Sequence, residues 1–114
     1  MKEMNGAPGE SILEGISKFS TMVQSVSDKV MKALLTLDVK LANDGIANSE
    51  VAMKEQRKLT ERILTTVKEV GLAVSLRTIV WNLGEVAKYA KIIGEIAINR
   101  TLEAPSEICR LEKA

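Results

Sequence analysis

The chain has 114 residues, enough for one domain with a small core. Apolar residues make up 46% and aromatics 3%, so that core must be aliphatic; sixteen basic against fifteen acidic residues give a formal charge of +1, which offers nucleic acid no net field. There is no histidine and one cysteine, Cys109, which excludes Ser-His-Asp and Cys-His nucleophiles, His-ligated metals, Cys-Cys metal knuckles and an intrachain disulfide.

Residues 1–10 read as a flexible N-terminal tail, polar and without the apolar run of a secretory signal. Ser11-Ile12-Leu13-Glu14 then matches a capping box. From there Ile12, Ile16, Phe19, Val23, Val26, Val30, Leu34 and Leu37 recur at spacings of three and four, the seam of a helix running from Ser11 to Leu37. Asp38 is the expected cap of a second helix after a short turn. Its predicted seam is Ala42, Ile46, Ser49, Met53, Gln56, Thr60, Ile63, Val67 and Val70. The polar middle of that seam either shifts toward Ala52 and Leu59 or packs loosely. Gly71 is placed just past the end of the second helix, where a left-handed residue closes many helices. Ser75 is then the expected cap of the third.

The third helix is read from Leu76 to Arg100, with an inner seam of Leu76, Ile79, Leu83, Val86, Ala90, Ile93 and Ala97. Val80, Trp81, Tyr89, Ile92, Ile96 and Ile98 fall around its remaining circumference, so it is apolar over a wider arc than a surface helix usually is. Such a surplus marks an interface, and Trp81, Tyr89, Ile92 and Ile96 are its candidate residues. Gly84, Ala87, Ala90, Gly94 and Ala97 would permit close helix approach. Residues 102–114 are expected as a C-terminal tail or short helix. Ile79–Ile98, the most apolar stretch, carries Glu85, Lys88, Lys91 and Glu95, so no membrane-embedded segment is expected. The fold class is all-α: an antiparallel three-helix bundle over residues 11–101, associating into a six-helix dimer.

Nothing in the sequence points to catalysis. Gly-rich phosphate loops and a calcium loop are absent, and the acids fall on outer helix positions rather than in an apolar pocket that would raise their pKa. No catalytic, cofactor-binding or metal-binding residue is assigned. One cysteine fits a free thiol in a reducing compartment, hence a cytoplasmic location; a cross-chain disulfide through Cys109 is the other option.

The run Asn82-Leu83-Gly84-Glu85-Val86-Ala87-Lys88-Tyr89-Ala90-Lys91-Ile92-Ile93-Gly94-Glu95 resembles the closing helix of the repeat in the PhoU family of phosphate-uptake regulators. The agreement lies in Leu83, Val86, Tyr89, Ala90, Ile93 and Glu95. Leu76-Arg77 is similar to the start of that helix, and Ala33–Asp38 to the family's first turn. The resemblance covers about residues 12–100 and is diffuse. It implies a three-helix repeat acting as a regulatory adaptor on phosphate uptake or phosphate signalling, with transporter or signalling proteins as partners. The carboxylates that hold iron or zinc in some members fall here on Gly84 and Lys88, so the expectation is a metal-free domain. Because the family usually has two repeats per chain, a single repeat implies a homodimer. An oligomerisation module of a larger regulator is the alternative, and a metal-binding bundle a weaker one.

Overall fold

A computed structural model describes the backbone of residues 7–113 and the side chains of residues 9–103. Within them the chain is all helical, without strands: α1 is Ala7–Thr36, α2 is Val39–Thr66 and α3 is Val70–Lys113. The expected tail up to Met4, Asn5 and Gly6, and the side chain of Cys109, lie outside the described residues.

α1 begins four residues before the expected capping box. A proline in its first turn costs no intrahelical bond, because the first N–H groups of any helix have no partner there. Ser11 is therefore inside the helix rather than at its cap, and its Oγ accepts a hydrogen bond from Arg62 Nη2 on α2. The α1 seam is buried as its spacing predicts at Ile12, Phe19, Val23, Val26 and Val30. At its end Ala33 turns inward, and Leu37, expected in the seam, is 42% exposed.

Two short turns join the helices, and each is closed by different chemistry. At the first, Leu37 adopts φ 53°, and the Asp38 N–H donates to Ala33 O at 3.0 Å, the six-to-one bond of a Schellman motif. Asp38 then caps α2, its Oδ1 accepting from Leu41 N at 3.0 Å. The second turn needs no left-handed residue. Val67 is extended, and the Glu69 carboxylate accepts from Gly71 N at 2.9 Å and Leu72 N at 2.6 Å. Gly71 thus sits in the first turn of α3 and does not close α2; no described glycine has a positive φ. Glu69, not Ser75, caps α3. That helix also runs unbroken past Arg100 to Lys113, where the sequence suggested an interruption.

The core is graded along the bundle. Ile12, Phe19, Val23, Leu59, Ile63, Leu76 and Val80 fill the end near the second turn. The middle is narrower, with Val26, Val30 and Ala90. Near the first turn the buried layer is one alanine from each helix, Ala33, Ala42 and Ala97. Small residues let the helices draw together there and along α2. A Cβ placed on Gly45 would lie 2.5 Å from Val30 Cγ1, and one on Gly94 would lie 2.8 Å from Ile46 Cγ1. Accordingly the α2 seam shifts: Gly45, Ala52 and Leu59 are buried with Ala42, Ser49 and Ile63, while Ile46, Met53, Gln56 and Thr60 are only partly covered. Ser49 is fully buried, yet costs little, because its hydroxyl donates to Ile46 O one turn back at 2.7 Å.

Candidate interaction face on the third helix

The same preference for small residues decides which face of α3 turns inward. Leu76, Val80, Gly84, Ala87, Ala90, Gly94 and Ala97 are buried. Of the predicted seam, Leu83 and Ile93 are only partly buried, and two residues are exposed: Ile79 is 47% and Val86 45% exposed. Val80, predicted on the outside, is fully buried, and Ile98 is partly covered beside the alanine layer. The reason is distance. From Gly84 onward the buried line is glycine and alanine, and α3 lies so close to α2 there that a Cβ on Gly94 would crowd Ile46 Cγ1. The larger residues are displaced to the solvent side.

The four candidate interface residues all lie on that solvent side, with Trp81 54%, Tyr89 58%, Ile92 42% and Ile96 46% exposed. Ile79 and Val86 join them. Sequence reasoning missed these two, although the Gly84–Ala87–Gly94 spacing carried the signal that the inner line was taken. Ile79, Val86, Tyr89 and Ile96 form one heptad-spaced stripe, with Asn82 and the partly buried Ile93 in the intervening places. Ile92 borders it.

Trp81 stands apart from the stripe. It walls a groove of about 440 Å³ between α2 and α3, together with Met53, Gln56, Arg57, Leu64 and Arg77. The groove is open and mainly apolar, and Glu61 lines it beside the two arginines. Tyr89 and Trp81, the two large amphipathic aromatics, thus do not share one site.

Positions 84 and 88 offer no ligands. Gly84 is covered by Gln56, and Lys88 Nζ is 4.0 Å from Glu85 Oε2 on the exposed side of the helix. Among the described residues no group of three or more His, Cys, Asp or Glu side chains could hold a metal ion. Each described ion pair joins neighbours on one helix, and such surface pairs contribute little.

By length and composition α3 could also cross a membrane. Val70–Glu103 includes an 18-residue window of mean hydropathy 1.2, 28% of it buried. Against that, buried residues on the inner line of α3 pack on α1 and α2, which carry Lys18, Lys32, Lys54 and Arg57 on exposed positions.

No family model, curated protein or solved structure matches this chain. The likeness to PhoU regulators therefore rests on the residues quoted above and on nothing further.

Proposed function

We propose that this chain is a non-catalytic helical adaptor that acts by assembly, as an up-down-up antiparallel bundle whose third helix docks on a second copy. The observation that carries this reading is the bare heptad stripe on α3. A helix whose inner line is already filled has no use within its own domain for exposed Ile79, Val86, Tyr89, Ile92 and Ile96. The antiparallel order is supported by the close approaches of Gly15 to Leu59 and Gly45 to Val30 between α1 and α2, and of Gly84 to Gln56 and Gly94 to Ile46 between α2 and α3, each pair running in opposite chain directions.

The resemblance over Asn82–Glu95 gives the adaptor a setting: regulation of phosphate uptake or phosphate signalling through contacts with transporter or signalling proteins, in the cytoplasm. α3 is read as the shared core helix of a soluble bundle. Placing it across a bilayer would draw the charged outer faces of α1 and α2 into lipid, at several kcal/mol for each unpaired charge.

Two measurements test this. Sedimentation across a concentration series should give a reversible dimer, and a strict monomer at the highest concentration sinks the assembly reading. Deleting the gene should alter phosphate uptake under phosphate excess or starvation; unchanged uptake in both leaves an adaptor without the phosphate setting.

A further inference from the structure

We infer that the second copy docks antiparallel to the first, along the α3 stripe, about a two-fold axis that passes between Val86 and Tyr89. This rests on the assembly reading above and goes beyond it in naming the direction and register of the contact.

The first support is self-complementarity. A two-fold interface must match itself, so each residue on one side needs its counterpart at the mirrored place on the other. The exposed stripe has gaps of seven, three and seven residues: Ile79, Val86, Tyr89, Ile96. It therefore reads the same from either end. In the antiparallel register Ile79 faces the partner's Ile96, and Val86 faces the partner's Tyr89, at both places where they meet.

Size and polarity favour this direction over the parallel one. A parallel pair would stack Tyr89 on its own copy and Arg100 on Arg100, setting bulky against bulky and like charge against like. The antiparallel pair sets the tyrosine ring against the smaller valine, as close-packed interfaces require. It moves each Arg100 beside the partner's Ser75, an uncharged residue.

The area is the third support. Five side chains, each close to half exposed, leave on the order of 450 Å² of apolar surface bare per copy. That is the apolar centre of a standard interface, whose polar rim brings each side to about 800 Å². Glu85 and Arg100 lie where that rim would form. The Trp81 groove lies off the stripe, so the pair would leave one such groove open on each copy.

Single-cysteine variants in a Cys109→Ser background separate the outcomes. Ile79→Cys and Ile96→Cys proteins are oxidised separately and after mixing under exchanging conditions, and covalent dimer is read on a denaturing gel. In the antiparallel register like positions lie about 25 Å apart along the axis. The expected result is therefore a covalent dimer from the mixture and none from either variant alone. Self-linking of Ile79→Cys alone overturns the register, as does a dimer by sedimentation with no linking in any sample. A strict monomer by sedimentation overturns the assembly reading itself, so the two failures are told apart. Val86→Glu is the independent check: with the helical circular dichroism unchanged, it should abolish the dimer, and persistence of the dimer overturns the stripe as its seat.

Discussion

Gly45 and Gly84 both let α2 approach a neighbour, but the neighbours differ in stiffness. At Gly45 an added methyl meets Cγ1 of Val30, a branched side chain that is itself fully buried. At Gly84 it meets the amide end of Gln56, which is only partly covered and can swing toward solvent. Alanine gains about 1 kcal/mol of helix propensity over glycine at either place, whereas overpacking a rigid site costs about 1–3 kcal/mol. Gly45→Ala should therefore lower stability in urea unfolding, and Gly84→Ala should leave it equal or raise it. Leu37 carries backbone strain of another kind. Its φ of 53° holds a branched residue in the left-handed region, at a cost of about 1–2 kcal/mol. Leu37→Gly relieves that strain but gives up the covered part of the leucine and adds unfolded-state entropy, so the net change should stay within about 1 kcal/mol; a larger fall in stability would contradict the assignment. Sequence rules pointed to Gly71 for this role because glycine is the usual occupant. They could not see that Glu69 closes the second turn with its side chain, which frees Gly71 from any left-handed duty.

At the scale of elements, three helices and two turns were legible because the apolar periodicity is strong and Asp38 is a good cap. The inward face of α3 was not legible from spacing. Leu76, Ala90 and Ala97 belong to two alternative seams: one continues through Ile79, Leu83 and Val86, the other through Val80, Gly84 and Ala87. Both have near-helical repeats, so hydrophobicity alone favours the larger residues. Helix separation reverses that choice, and separation is a property of the assembled bundle. A pair of substitutions distinguishes the seams. Val80→Ala should cost about 2 kcal/mol, because it empties a closed site, while Ile79→Ala should cost less than about 1 kcal/mol in monomeric protein, because half of that side chain is already in water. Equal losses would contradict the inward assignment of Val80. The candidate site was legible in part for the same reason. Trp81, Tyr89, Ile92 and Ile96 are outward in either seam, whereas Ile79 and Val86 emerge only once the small residues have taken the inside.

The described residues form a rod of 71 × 18 × 17 Å with a radius of gyration of 19.0 Å, against about 13 Å for a compact globule of this length. α3 sets that length. Its 44 residues span roughly 66 Å, and it continues past Thr101, which lies opposite the start of α2. Such a shape makes the geometry of assembly readable in solution. A side-by-side pair along the α3 stripe keeps nearly the same longest dimension as the single chain and thickens the cross-section. An end-to-end pair would come close to doubling the length. Small-angle scattering of the associated state should therefore show a raised cross-sectional radius with little change in maximum dimension. A maximum dimension near twice that of the rod would contradict docking along α3.

The graded core has a consequence for how this rod holds together over time. Its large side chains are gathered near the second turn, and the opposite end is closed by little more than Ala33, Ala42 and Ala97. Fluctuation should begin at that alanine end, and amide protons there should exchange with solvent long before those around Phe19 and Leu59. Tyr89, Ile92 and Ile96 stand on the outside of this same weak half. A second copy seated on them would brace the region that opens first, so protection there should rise with protein concentration by mass action. Folding of that end and recognition of its partner would then be two readings of one equilibrium.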